Sequence, residues 1–367
     1  MRPLRWISCF VALTVVAAAC GGSSPAAKRK PPPSTTTTTA GPPVQPLTGL
    51  PDPTGQSLTR PALSIKIENT PQARPQTSLD MADVVYEEIT EAGITRFMAV
   101  YNSTVPPVVG PVRSARIMDP DLFTPLGGIF VYSGAIQATE DAVNAAPGVD
   151  VIVDTGSTST GLFRDPTKVA PHNLYAHTAQ LFAKGGKPTP PPALFQYLPT
   201  GVPFQGQPVT QFTVKYETIY APTYTWDPPS GTWKRSIQGA PFMDTDGNQV
   251  APQNVVVQFV KCCLPSPEGA NYITVGTGDA WVLSNGQLVQ GKWSRTSTSQ
   301  VIQYTDASGQ PIRLTPGRTW VELVPAAGFD NVLVAVTPPS SGLPPPSTTT
   351  TSTLPSKSKS KSKSKKK

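Results

Sequence analysis

The chain has 367 residues and a formal charge of +7, and that whole excess equals the seven lysines of its last eleven residues. Without them, and without the five basic residues before Pro31, 18 basic residues face 23 acidic ones. The body is therefore mildly acidic, and the positive charge is a terminal device. Beyond position 20 the only cysteines are Cys262 and Cys263, and the only histidines are His172 and His177. No ligand set of zinc type is written in this pattern, and no metal or cofactor is expected. Neighbours on a strand point to opposite faces, so Cys262 and Cys263 are read as two buried or half-buried thiols, with a vicinal disulfide as the alternative.

In chain order, Arg2 and Arg5 precede an apolar run from Trp6 to Ala19, which has the length and polarity of a secretory signal rather than of a membrane span. Cys20 follows three alanines, the pattern of a bacterial lipobox, and is predicted to be the lipidated mature N-terminus. Ordinary signal cleavage near the same alanines is the alternative. Acyl chains there would anchor the protein without spanning the bilayer, on the outer face of the cytoplasmic membrane. Residues 21–45 are rich in Pro and Thr and cannot bury enough apolar surface to offset chain entropy, so a disordered tether is expected.

Residues 46–190 read as an α/β domain. Ala62 to Glu68 is a short strand pattern, and Val84 to Glu91 with Ile94 to Tyr101 reads as a hairpin around Ala92-Gly93. A two-residue loop would set Ile89 opposite Arg96, with Glu87 and Glu91 diagonal to the guanidinium. A helix is predicted over 114–126, a strand over 127–132, a helix over 135–146, a strand over 149–153 and a helix from about Ala176. Interleaved strands and helices of this kind make α/β layers. A Pro-rich linker, 191–208, leads to residues 209–337, where short strand patterns separated by turns such as Asp246-Gly247 and Asn285-Gly286 predict a mainly antiparallel β domain. Five tryptophans fall in this half and are assigned to core or sheet surface. Residues 338–367 are expected to be disordered.

Several motifs in one order carry a resemblance: Glu87-Glu88, Gly93-Ile-Thr-Arg-Phe97, Gly110-Pro-Val-Arg-Ser-Ala-Arg116, Ser133-Gly134, Phe163-Arg164 and Ala170-Pro-His-Asn-Leu-Tyr175. Asn254-Val-Val-Val-Gln258, Gly291-Lys-Trp293 and Leu314-Thr-Pro-Gly-Arg-Thr-Trp320 extend it. Over about 46–338 the chain resembles the YerB-like lipoproteins of domain-of-unknown-function family 3048, with N- and C-terminal domains. The resemblance implies an exported lipoprotein and brings no established reaction or catalytic residues.

The candidate residues are therefore argued from chemistry. Ser114 is read as the cap of the helix over 114–126, and Arg113 and Arg116 near its positive end call either for an anion or for carboxylates that lock them. His172 is the acid–base candidate, with Glu87 and Glu88 as its acidic companions. Arg96, Arg164, Asn173 and Tyr175 are assigned to polar recognition. Two functions survive: an envelope-anchored binding or interaction lipoprotein for an anionic or sugar-containing ligand, and, alternatively, a hydrolase or transferase acting on an envelope polymer. Lys357, Lys359, Lys361, Lys363, Lys365, Lys366 and Lys367, alternating mostly with serine, are expected to bind anionic envelope polymers or acidic lipids by charge alone. The membrane and an envelope protein are the further expected partners. Export removes nucleic acid as a physiological one.

Overall fold

The computed structural model describes residues 43–216, 220–262, 271–326 and 334–338. The signal, Cys20, most of the Pro/Thr tether, Cys263 and the lysine tail lie outside the described residues. The strands of the N-terminal region are β1 (Leu63–Glu68), β2 (Val84–Ile89), β3 (Thr95–Tyr101), β4 (Val108–Val109), β5 (Gly128–Tyr132), β6 (Val149–Val153), β7 (Leu162–Arg164) and β8 (Leu174–His177). Helices α1 (Asp119–Phe123), α2 (Gln137–Asn144) and α3 (Thr178–Lys184) interleave with them. Beyond them come β9 (Gln196–Tyr197), β10 (Gln207–Pro208), β11 (Gln211–Val214), β12 (Pro222–Asp227), β13 (Thr232–Ile237) and β14 (Ala240–Pro241). The remainder are β15 (Asn254–Val260), β16 (Gly276–Ser284), β17 (Gln287–Arg295), β18 (Gln303–Asp306), β19 (Arg313–Leu314), β20 (Thr319–Pro325) and β21 (Val334–Thr337).

The N-terminal region thus mixes helix and strand and the C-terminal region is mainly antiparallel β, yet the two share one sheet. Among the described residues this sheet has eleven strands in the order β10-β17-β16-β15-β20-β2-β3-β1-β5-β6, with β18 beside β17. The join is β2 against β20, a parallel pair from Val84↔Thr319 to Glu87↔Glu322. A second sheet, β14-β13-β12-β11-β21, brings Arg235 of β13 and Tyr224 of β12 onto Glu87 and Glu322 of the first. The segment between the regions is itself packed, with Leu194, Phe195 and Phe204 buried.

Strand β1 shows how sequence alternation becomes two unlike faces. Leu63, Ile65 and Ile67 point one way into apolar core, and Ser64, Lys66 and Glu68 point the other way, yet all six residues are buried. On the polar face Glu68 pairs with Arg96 of β3, and Arg96 with Glu88 of β2, so a row of charges crosses three strands. Helix α1 lies on this face, with Phe123 stacked on Phe130 at 4.3 Å, and Glu140 of α2 accepts from the hydroxyl of Tyr132. Of the tryptophans, Trp233, Trp293 and Trp320 are buried and Trp226 and Trp281 pack against the core.

Three local expectations change. The hairpin loop is longer than two residues: the Thr90 amide donates to the Ile94 carbonyl, Ala92 and Gly93 take φ of 57° and 71°, and Glu88 rather than Ile89 faces Arg96. A slip of one residue exchanges the faces, so Glu88 joins the charged row and Glu87 turns to the opposite side. Cys262 is held in a disulfide, against the expectation of two thiols. The last helix starts at Thr178, two residues late, because Leu174–His177 is used as strand β8.

Candidate functional site

Strands β1, β5 and β6 run parallel and end together. Open α/β sheets form their ligand sites beyond such carboxyl ends. Glu68 closes β1, Ser133 follows β5 and Asp154 follows β6. The segment from Arg113 is laid between these ends by backbone pairing. Its amide donates to the Lys66 carbonyl at 2.9 Å, the Ser133 amide donates to the Arg113 carbonyl at 3.0 Å, and the Ala115 amide to the Gly134 carbonyl at 3.1 Å. Those bonds hold residues 113–115 extended, so α1 begins only at Asp119 and Ser114 caps no helix. The helix-end argument for Arg113 and Arg116 is thereby replaced by side-chain partners.

Arg116 is spent within the fold. Its guanidinium holds Glu91 through Nε at 2.9 Å and through Nη2, and Nη1 donates to the Ala115 carbonyl. Arg96 donates to the same carboxylate at 3.0 Å and to the Ser114 carbonyl at 3.1 Å. Burial works to raise the Glu91 carboxyl, but the Arg116 hydrogen bonds and the Arg96 charge overcome it and hold the group at about 2. Burial, then the Arg116 charge, lowers Arg96 to about 10. Both arginines are clamps.

Arg113 differs. Its Nε lies 3.4 Å from Glu68 Oε1 without hydrogen-bond geometry, and among the described residues its terminal amino groups have no hydrogen-bond partner. Glu68 is 1 % exposed, and its Oε1 also takes the Thr70 hydroxyl at 3.0 Å and His172 Nδ1 at 2.9 Å, while Oε2 is buried with no partner. His172 Nδ1 thus faces Glu68, and Nε2 stands on the far side of the ring. The His172 side chain is 21 % exposed and the Arg113 side chain 25 %. Arg164 completes the rim, half exposed, donating to Asp154 at 2.8 Å and to Asn173 Oδ1 at 3.1 Å. Ser114 and Ser133 hydroxyls lie 3.5 Å apart beside Arg113.

The structure therefore brings Arg113, Ser114, Arg164, His172 and Asn173 to one end of the sheet. Tyr175 is buried there as a wall: a Cβ on Gly110 would meet its ring at 2.5 Å, so only glycine fits that close approach. Glu87 and Glu88 are not beside His172. Both are fully buried on opposite faces, Glu88 against Lys66 and Glu87 against Arg235. The carboxylate at His172 is Glu68, which sequence reasoning passed over; its one signal is a charged residue closing a strand of alternating polarity. Elsewhere, Asp80, Asp244 and Asp246 bring carboxylate oxygens within 4.8 Å of one another, an arrangement that could hold a cation. Burial, with the charges of the other two, raises Asp80 to about 6, and Arg318 opposes that rise.

The fold is that of a known family. The model for the N-terminal domain of "protein of unknown function (DUF3048)" matches residues 47–189, and that for its C-terminal domain matches 212–321. The chain belongs to the DUF3048 family. It is 28 % identical over 292 residues to the protein named "Putative lipoprotein YerB" of Bacillus subtilis (strain 168), covering 76 % of this chain and 86 % of that one. The crystal structure of Bacillus subtilis YerB superposes with a TM-score of 0.69 at 25 % identity, covering 80 % of this chain and 99 % of that one.

Proposed function

We propose that this protein is an exported, lipid-anchored binding lipoprotein of the bacterial envelope, which recognises an anionic ligand, phosphate- or sugar-bearing, beyond the carboxyl ends of β1, β5 and β6. The observation that carries the reading is the contrast among neighbouring arginines: Arg96 and Arg116 are consumed by Glu91, whereas the terminal amino groups of Arg113 have no hydrogen-bond partner among the described residues. A guanidinium fork of that kind suits a planar or tetrahedral anion bound through two oxygens. The lipobox at Cys20 and the name carried by the Bacillus subtilis relative support the anchor. The cytoplasmic membrane's outer face and a second, envelope protein partner belong to the same reading.

The two arginines separate ligand from lock. Arg113→Ala should weaken binding of teichoic-acid fragments by about 10- to 100-fold, the worth of a lost charge-assisted contact, with little change in melting temperature. Arg116→Ala should instead lower stability, because it leaves Glu91 with Arg96 alone. Titration calorimetry beside thermal melts reads both, and unchanged binding in Arg113→Ala would remove this site.

The lysine tail acts separately. Each lysine close to an anionic surface contributes about 1 kcal/mol, and salt screens it within about a Debye length. Deleting 357–367 should reduce retention on isolated envelopes at low salt and leave the melting of the body unchanged. Equal retention at low salt, or a tail effect that survives about 1 M salt, contradicts an electrostatic tether.

A further inference from the structure

We infer that Glu68 and His172 form a proton-transferring dyad that hydrolyses phosphodiesters held by Arg113, with water as the co-reactant. The inference deepens the binding role proposed above and rests on it. Glu68 faces two groups of the site at once, Arg113 Nε at 3.4 Å and His172 Nδ1 at 2.9 Å. It stands 1 % exposed behind them, with Oε2 buried and unpartnered. An unshared buried carboxylate oxygen is costly; Glu88 carries one as well, against Lys66, and what sets Glu68 apart is the partly exposed imidazole and guanidinium in front of it.

What the arrangement does serve is proton transfer. Holding Nδ1–H at 2.9 Å, Glu68 selects the tautomer that leaves the Nε2 lone pair free, and its charge stabilises the imidazolium formed when Nε2 takes a proton. The Thr70 hydroxyl, at 3.0 Å from the same Oε1, keeps the carboxylate oriented. Among the described residues no hydrogen bond reaches Nε2, so it is available to a ligand or to water.

Charge selects the substrate class. Arg96, Arg116 and Arg164 are each committed to a carboxylate, which leaves the one guanidinium of Arg113 to face a ligand with Glu68 close behind it. A diester, carrying a single negative charge and two equivalent non-bridging oxygens, matches one fork, whereas a dianionic monoester would bring a second negative charge toward Glu68. In the step itself Nε2 removes a proton from water as the water oxygen bonds to phosphorus. The bond from phosphorus to the leaving oxygen on the opposite side breaks with its electron pair on that oxygen, which takes a proton from solvent water, and Nε2 returns its own proton to solvent. The products are a phosphomonoester and an alcohol. His172 is the catalytic residue and Glu68 its positioning residue.

The test uses the full chain in detergent and a short poly(glycerol phosphate) oligomer, with calorimetry for binding and mass spectrometry for shortening. Wild type should bind and shorten the oligomer, and should prefer bis(p-nitrophenyl) phosphate to p-nitrophenyl phosphate. His172→Ala should bind as wild type, melt as wild type and turn over about 10²- to 10⁴-fold more slowly, with partial recovery in added imidazole. Glu68→Gln should lower kcat with KM little changed; if that variant does not fold, His172→Ala and its imidazole rescue decide alone. Binding without shortening, a preference for the monoester, or a His172→Ala variant as fast as wild type overturns the dyad and leaves the binding role standing. Absence of binding by a folded wild type overturns both.

Discussion

Arg235→Ala is expected to destabilise the protein by about 3–5 kcal/mol, the range found when one partner of a buried ion pair is removed. Arg235 is fully buried and donates to Glu87 Oε2 at 2.8 Å, while its guanidinium lies 4.1 Å from the Phe242 ring centre, 4.8 Å from that of Trp320 and 5.6 Å from that of Phe97. It is the principal ionic tie between the second sheet and the join of β2 with β20. Its loss leaves Glu87 charged in the interior beside Glu322, whose carboxyl is already raised to about 8 by burial and by the Glu87 charge. Because the penalty is an uncompensated charge rather than a lost contact, Arg235→Met with Glu87→Gln should recover most of the loss. Urea unfolding of the single and double variants tests this; a loss under about 1 kcal/mol in the single variant would mean that the pair lends the join little.

Lys66→Met should show a loss of similar size that depends on pH. Lys66 holds Asp119 at 2.8 Å and Glu88 more closely, and all three side chains are fully buried. Burial, opposed by the Lys66 charge, raises the Glu88 carboxyl from 4.5 to about 7. A carboxyl raised in the folded state binds its proton more tightly there, so its contribution to stability is fully present below 4.5 and is lost as pH rises through 7. Removing Lys66 removes a lowering influence and carries that window upward. The variant should therefore fall short of wild type by more at about pH 8 than at about pH 5, in urea midpoints measured at both. An equal deficit at the two values would show that Glu88 does not take up the proton.

Lys66 lies in the strand pattern 62–68 and Arg235 in a short β pattern, but such patterns say which side chains share a face and not whether that face is covered. Both faces of β1, β2 and β3 are covered, one by α1 and its neighbours and the other by the second sheet, so charges that alternation would send to solvent must find each other inside.

From the chain alone came the bounds of β6, β13 and β15, together with family membership. Those follow from local properties: periodicity, turn residues and motif order. The tertiary structure decided the rest. It placed Glu88 rather than Ile89 opposite Arg96, through the left-handed turn at Ala92 and Gly93. It kept residues 113–115 extended, because the Lys66 carbonyl and the Ser133 and Gly134 backbone took up bonds that a helix would have used. It set Glu68 under His172, 104 positions away, and Glu322 beside Glu87. Such pairings depend on which strands become neighbours, and strand order arises from long-range hydrogen bonding that no local pattern encodes.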